Sequence, residues 1–515
     1  MLTGHILHQS ARRHPGKTAL ICDDRHITYG DLAADANRFA HAIASRGIGP
    51  PDTIAIMSRN IPEYVVAHFG CAQTGAILIN LMPAYVADEL AVILSTTEAR
   101  LIVVEAAFQE KITGIIERLP NLSHIVVIGE PPSTKTEGYI IFDDFIDGQP
   151  ATPLGLSLLE TDPFAMTFTG GTTGLPKGAV VSHRSRFVST YTTAIEHEVS
   201  ESDVVGLLTP LYHTMGSLVW LSTGVLVGAT CVMLTSWDPD TFVSQTKQHG
   251  ISCVLMVPVQ LRQLLDDEIF DAAKLASLRK IACGGAISSV DLVSEVNRKL
   301  PDALFTNHYG QSETGPLCVY KYYHPRDKAG TIGRPALGVD FALLDTEGNP
   351  VASGKTGEIV VRGPFLMEGY YNNPEETASY FKKDDGWGWT GDLATIDKDG
   401  FVTLVGRSKD MIVSGGINIY PREIEIVLES HVAVIDCTVF GIPDDKWGEA
   451  LCALVVTSND THVAERELLS HCTDHLARFK RPKIIRFVDT IPKSPSGKVQ
   501  KPRLRAAFLK ENAVS

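Results

Sequence analysis

The sequence predicts a multi-domain α/β protein built on mostly parallel sheets. Three observations carry this. Short apolar strand candidates alternate with amphipathic helical stretches through residues 28–300. The texture then changes near residue 338 to short strands and tight turns, and near 407 to a second mixed pattern. Finally, a chain of 515 residues is longer than one hydrophobic core usually serves.

In chain order, Thr28 is placed to cap a helix that carries Leu32, Ala36, Phe39, Ala40 and Ile43 on one face. Strand candidates follow at Thr53–Met57, Ala76–Asn80, Leu101–Val104, His124–Ile128 and Phe164–Phe168. The same rhythm returns at Val204–Leu208, Thr230–Leu234, Cys253–Val257 and Lys280–Cys283. Strands separated by helices imply parallel pairing, with helices packed on the sheet faces. Phe341–Leu344, Gly357–Val361 and Phe401–Val405 are separated by turns such as Glu347-Gly348-Asn349-Pro350, and they read as a small antiparallel β unit over 338–405. Beyond it lie strands at Ala433–Phe440 and Ala450–Val456 and a helix at Glu465–Leu476. The expected division is a large domain over 1–406 and a small α+β domain over 410–515, with the boundary near 407.

Composition narrows the function. Hydrophobic residues at 44% and charged residues at 21% describe a globular soluble protein. A net charge of −14 argues against nucleic-acid binding, which needs a basic footprint. The C-terminal stretch is different: from His471 to Ser515 there are 11 Lys/Arg against 3 Asp/Glu, either a solvated face or a place where an anion docks. Nine scattered cysteines without CxxC pairs fit reduced thiols in a cytoplasmic protein, with neither a disulfide framework nor a zinc site. The N-terminus has no signal-peptide pattern, and no apolar run is long enough to span a membrane.

The segment Thr169-Gly170-Gly171-Thr172-Thr173-Gly174-Leu175-Pro176-Lys177-Gly178 carries four glycines, three threonines and a lysine directly after an apolar strand candidate. Backbone N–H groups and hydroxyls in such a loop can cradle a phosphate. It is not a Walker A loop, because Pro176 precedes the lysine and Gly178 follows it. Four further segments offer matching chemistry. In Asn307-His308-Tyr309-Gly310-Gln311-Ser312-Glu313-Thr314, Tyr309 can stack on a purine, Ser312 can bond a phosphate oxygen and Glu313 can hold Mg²⁺; alternatively the segment is a polar turn. In Trp389-Thr390-Gly391-Asp392 a carboxylate at the end of a turn can accept ribose hydroxyls, or simply stabilise that turn. Gly406-Arg407-Ser408-Lys409-Asp410 precedes a second glycine loop, Ser414-Gly415-Gly416-Ile417-Asn418. Pro495-Ser496-Gly497-Lys498 places a lysine on a loop in the basic end.

Together these ordered segments resemble the adenylate-forming superfamily of acyl-CoA synthetases, luciferases and peptide-synthetase adenylation domains. The resemblance runs from Thr28-Tyr29-Gly30-Asp31-Leu32 to the Lys498 loop and is closest in pattern to the AMP-forming acyl-CoA synthetases. It implies a large domain of two packed, mostly parallel sheets with a small β-barrel-like unit, followed by a mobile C-terminal domain turning on a hinge at 407–409. By motif it implies that Thr169–Gly178 handles the phosphates of ATP and pyrophosphate. Gly284, Gly285, Ala286 and Tyr309 would then form the adenine pocket. Ser312, where the family more often has Thr, keeps the hydroxyl for the α-phosphate, and Glu313 matches the Mg²⁺ carboxylate. Asp392 and Arg407 match the ribose contacts, Lys409 sits at the hinge, Gly416 borders the pantetheine tunnel and Lys498 matches the lysine of adenylation.

Within that resemblance, Pro210-Leu211-Tyr212-His213 is similar to the acyl-CoA synthetase form, where an aromatic ring gates the acid pocket; His213 is expected to be that ring, the alternative being a core histidine. Amino-acid-activating relatives usually carry an Asp near this point. With 17 residues after Lys498 in this sequence, a carrier domain is not expected there. Gly310 is expected to leave the pocket end open where acetate-specific relatives have Trp, and His308 replaces a frequent Gly and puts an imidazole near the pocket wall. Met215, Gly216, Trp220 and Met256 are candidate lining residues or core. The expected function is an ATP-dependent acid:CoA ligase for a medium-chain fatty or aromatic acid, with ATP, Mg²⁺ and coenzyme A; a homodimer is allowed. The alternatives are an acyl-adenylate enzyme that loads a carrier protein or oxidises the adenylate, and a non-catalytic nucleotide sensor.

Overall fold

The apolar runs of the first half fold into two large sheets wrapped by helices. The structure is a computed structural model that describes residues 2–130, 138–170, 176–266, 268–286, 288–383, 385–415, 417–457, 463–493 and 499–512. Two compact units emerge: Met1–Phe341 with Val361–Gly388, and Ala342–Val360 with Trp389–Ser515.

In the first unit, one eight-stranded sheet has the order Gly369–Tyr370, Pro176–Ser182, Pro163–Gly170, Ile77–Asn80, Thr53–Met57, Leu101–Glu105, His124–Ile128, Tyr139–Ile141. From Pro163–Gly170 to Tyr139–Ile141 every pairing is parallel. The other sheet has nine strands, in the order Arg334–Pro335, Gly315–Lys321, Leu304–Gln311, Lys280–Gly284, Cys253–Met256, Val204–Leu207, Thr230–Met233, Thr18–Cys22, Arg25–Thr28. Its interior is likewise parallel, with antiparallel strands at its two edges. Ile54 and Ile56 point into a core shared with Leu20, Val205, Leu207 and Leu255 of the other sheet and with Phe39, Tyr64 and Phe69 from helices. Ala55 and Met57 point the other way, onto Leu90 and Leu94. Successive strand residues face opposite sides, so a strand apolar throughout must be covered on both. The Thr28 side chain caps helix Tyr29–Ala44 by accepting from Asp31 N–H.

Thr53–Met57 and His124–Ile128 have the expected ends, and the other expected strands differ from the observed ones by a residue or a few. Pro176–Ser182, Leu304–Gln311 and Gly315–Lys321 are strands that the sequence reading did not include. Each is interrupted by Pro, Gly or polar residues, which hide a two-residue period.

The second unit holds the expected small β unit as a four-stranded sheet ordered Asp340–Leu344, Gly357–Arg362, Gly388–Ile396, Val402–Arg407. Its other sheet joins Ile417–Ile419, Ile412–Ser414, Gly448–Thr457 and Val434–Asp444, with Ile484–Phe487 beside Gly448–Thr457. Leu451, Ala453 and Val455 pack on Ile424, Leu428 and Leu468 of helices Pro421–Glu429 and Glu465–His475. The alternate residues Cys452 and Leu454 pack on Phe508 of helix Lys501–Asn512. The nine cysteines are free and buried.

Candidate active site

In the first unit, the candidate residues gather at the carboxyl ends of the parallel strands, where ligands bind in open α/β sheets. The strands on either side of the glycine-rich segment pair with each other. Pro163–Gly170 and Pro176–Ser182 pair antiparallel, with Thr169 opposite Lys177 and Gly170 opposite Pro176. Gly171, Thr172, Thr173 and Gly174 lie outside the described residues. A Cβ at Gly178 would stand 2.4 Å from Met166 Sδ, so close packing explains that glycine. Lys177 Nζ lies 2.5 Å from the Glu376 carboxylate, with its side chain only 12% exposed, and 5.6 Å from the centre of the Tyr370 ring.

Gly284 ends its strand opposite His308, and Gly285 follows in the left-handed region at φ +80°. Ala286 is exposed. A side chain at Gly284 would meet the His308 ring at 2.6 Å, so these two positions are matched in size. His308 is buried, its ring centre 5.3 Å from that of His197, and its Nδ1 has no hydrogen-bond partner among the described residues. Burial holds its pKa down to about 4, so the imidazole is neutral near pH 7. Tyr309 is half-buried at a register shift in the ladder. Gly310 has a backbone reason of its own: a Cβ there would stand 2.1 Å from the Gly315 carbonyl oxygen. The glycine is therefore needed for the hairpin itself and is not simply an opening at the pocket end.

Ser312 and Glu313 occupy the turn that follows. Glu313 accepts a hydrogen bond from Tyr370 Oη at 2.8 Å, and its carbonyl accepts from Met367 N–H at 2.8 Å. Beneath the turn, Arg186 is 1% exposed and donates from Nη2 to the carbonyls of Thr314 (3.1 Å) and Phe365 (2.9 Å). Burial pulls its pKa down to about 10. Among the described residues no three His, Cys, Asp or Glu side chains converge to hold a metal. A single carboxylate does fit Mg²⁺, which takes one or two protein carboxylates and completes its shell with phosphate oxygens and water.

His213 lies in the turn between strand Val204–Leu207 and a π-type helix, Met215–Leu221, with its ring centre 5.0 Å from that of Tyr212. Asn60 and Tyr64 fix this turn, Asn60 by accepting from Leu211 N–H at 2.8 Å and Tyr64 by donating to the Leu211 carbonyl at 2.9 Å. Gly216 permits a close approach, since a Cβ would meet Pro210 O at 2.2 Å. Met215 borders Gly285. Trp220 and Met256 are buried core; the Trp220 indole donates to Gly206 O at 3.3 Å.

In the second unit, Asp392 and Arg407 face each other across strands Gly388–Ile396 and Val402–Arg407 and form an ion pair at 2.9 Å. Asp392 is 5% exposed. It sits within a strand, just after Gly391 at φ +72°, and not at the end of a turn as the sequence suggested. Lys409 is exposed in a short 3₁₀ turn, Ser408–Asp410. Gly416 and Lys498 lie outside the described residues.

Tyr370, Glu376 and Arg186 were not singled out from the sequence. Asn373-Pro374-Glu375-Glu376 did carry a readable helix start, and Asn373 accepts from Glu376 N–H as the N-cap. Nothing local marks Arg186, whose partners are 128 and 179 residues away.

Among the described residues no helix is long and apolar enough to cross a membrane. Comparison with known proteins matches residues 7–371 to the family described as AMP-binding enzyme and residues 423–498 to the AMP-binding enzyme C-terminal domain. The chain is 33% identical over 505 residues to a feruloyl-CoA synthase of Amycolatopsis sp, covering 97% of each chain. It is 33% identical over 519 residues to the medium/long-chain-fatty-acid–CoA ligase FadD8 of Mycobacterium tuberculosis, covering 98% of this chain and 90% of that protein. Among solved structures it resembles the anthranilate CoA ligase AuaEII in complex with anthranoyl-AMP, with a TM-score of 0.90 and 28% identity over 100% of this chain and 98% of that one. The chain therefore belongs to the AMP-binding enzyme family, the acyl-CoA synthetases and related adenylate-forming enzymes.

Proposed function

We propose that this enzyme is an AMP-forming acid:CoA ligase that activates a medium-chain fatty or aromatic acid. One observation carries the reading most directly: the glycine-rich hairpin and the Glu313 carboxylate, the two features suited to a polyphosphate, are held by neighbouring residues of one segment, Tyr370 and Glu376. Likeness to relatives named for feruloyl-CoA, fatty acids and anthranilate supports the substrate class.

In the first half-reaction a carboxylate oxygen of the acid attacks the α-phosphorus of ATP. A new P–O bond forms, the bond to pyrophosphate breaks, and the acyl-adenylate results. Two anions must meet, so the transition state needs positive charge and oriented donors. Mg²⁺ held on Glu313 would supply charge neutralisation at the phosphates. Lys177 and the hairpin hydroxyls steady the departing pyrophosphate, Ser312 bonds the α-phosphate, and Lys498 reaches the attacking and bridging oxygens. Tyr309 with Gly284, Gly285 and Ala286 accommodates adenine, and Asp392 with Arg407 holds the ribose. His213 gates the acid pocket, beside Gly310 and with His308 at its wall. In the second half-reaction the thiol sulfur of coenzyme A attacks the acyl carbon, the C–O bond to AMP breaks, and the thiol proton is released. Domains 1–406 and 410–515, a hinge at 407–409 centred on Lys409, and a pantetheine path along Gly416 complete the proposal, because the two half-reactions need different contacts.

The test is a panel of carboxylic acids assayed for exchange of pyrophosphate into ATP, and then for AMP release with and without coenzyme A. Exchange with a medium-chain or aromatic acid and CoA-dependent AMP release are expected. A folded protein that exchanges with no acid in a broad panel refutes the reading.

A further inference from the structure

We infer that Tyr370 is a positioning residue for Glu313, acting from a brace that also holds the lysine of the phosphate hairpin. This rests on the reading of Glu313 as the metal-binding carboxylate. The brace is segment 367–376. Its backbone is bonded to both features: Met367 N–H donates to Glu313 O, while Glu368 and Tyr371 N–H donate to Val180 O and Gly178 O, each at 2.8 Å. Its side chains repeat the pattern. Tyr370 Oη donates to Glu313 Oε1 at 2.8 Å, and Glu376 pairs with Lys177 at 2.5 Å. Lys177 Nζ also lies over the Tyr370 ring.

Tyr370 is suited to the role and Tyr371 is not. Neighbouring residues of an extended segment face opposite sides. Tyr371 packs into an apolar cluster with Ile77, Met166 and Val180. The Tyr370 ring stands edge-on to Tyr380 at 6.3 Å, so its hydroxyl is delivered to Glu313 from a ring held in place. A glutamate on a turn has three rotatable bonds to order before it can hold a cation. A charge-assisted bond to one oxygen orders it in advance and leaves the other oxygen, Oε2, for the cation.

The experiment uses the full chain with Tyr370→Phe, and Tyr371→Phe as the control. ATP binding is titrated calorimetrically at a series of Mg²⁺ concentrations without acid, and AMP binding is measured in EDTA. Loss of a hydrogen bond to a charged group is expected to raise the Mg²⁺ needed for half-maximal ATP binding about tenfold in Tyr370→Phe, with AMP affinity unchanged and Tyr371→Phe like wild type. A wild-type Mg²⁺ dependence in Tyr370→Phe, or a parallel loss of AMP affinity, overturns the inference while the reading of Glu313 stands. Mg²⁺-independent ATP binding by the wild type removes that reading and the inference with it. Glu376→Gln leaves the ring and Glu313 in place and tests the other arm. Weaker pyrophosphate binding with unchanged AMP binding supports the brace, and unchanged pyrophosphate binding overturns it.

Discussion

The first unit should lose stability steeply between pH 7 and pH 5, because it encloses histidines that cannot hold a proton. His68 lies between Phe69 and Phe164, ring centres 5.0 and 5.2 Å away, and neither of its nitrogens has a partner among the described residues. Burial holds its pKa down to about 3, and does the same to His183 and His308 at about 4. His197 lies well below its ordinary value for the same reason, with His308 and Lys321 adding to the effect. Unfolded histidines take up protons near pH 6.5. In that window the unfolded chain binds more protons than the native one, so stability rises with pH and falls as pH drops from 6.5 towards 4. Each of His68, His183 and His308 then costs about 2 kcal/mol at pH 5, and the three together about 6 kcal/mol, against a total stability of about 5–15 kcal/mol for a typical protein. Carboxylates with lowered pKa values, such as Asp203, add their own losses only at lower pH. The assay is urea unfolding followed at pH 7, 6 and 5. His68→Phe isolates one term: the loss between pH 7 and 5 should shrink by about 2 kcal/mol relative to wild type, whatever constant offset the new ring brings. Stability that changes by less than about 1 kcal/mol over the same range, or a His68→Phe slope equal to wild type, refutes the reasoning.

Other outcomes follow from single contacts. Gly310→Ala puts a methyl group against the Gly315 carbonyl and should cost about 3 kcal/mol, the upper end for overpacking because the partner is backbone; an unshifted thermal midpoint with unaltered ATP binding counts against it. Glu425→Ala in the second unit strips the partner from Lys501 (2.6 Å) and from Val439 N–H (3.0 Å). Both are largely buried, so a loss of about 3–5 kcal/mol is expected in the unfolding of that unit, and Glu425→Gln should cost less. Lys498→Ala is expected to cripple adenylation while sparing thioester formation from a preformed acyl-adenylate; equal loss in both half-reactions contradicts the swinging-domain proposal. If the basic stretch after His471 assists binding of phosphates, as proposed, binding of coenzyme A should weaken with added salt; a salt-independent affinity contradicts this.

Most parallel strands of both large sheets were legible because they are continuous apolar runs with helices between them, as at His124–Ile128, where expected and observed ends coincide; Thr18–Cys22 and Tyr139–Ile141 were not expected. The Thr28 cap was legible because a cap is local, a side chain bonding an amide three residues on. Several strands that pair antiparallel on at least one side were not. In Pro176–Ser182 and Leu304–Gln311 glycine and polar residues obscure the period, and these strands carry Lys177, His308, Tyr309 and Gly310. Asp392 looked like a turn residue because Thr390-Gly391 resembles a turn; in the structure the left-handed glycine only bends a strand.

By itself, the sequence determined the α/β class, the change of texture near 338 and the set of chemical groups, because strand periodicity, helix caps and motif spacing are written within a few turns of chain. Only the tertiary structure decided which groups stand together. Tyr370 reaches Glu313 across 57 residues, Glu376 reaches Lys177 across 199, and Arg186 supports the turn after Glu313 from 128 residues away. Hydrogen bonds and ion pairs act over about 3 Å, and they select partners only after packing has brought distant strands side by side.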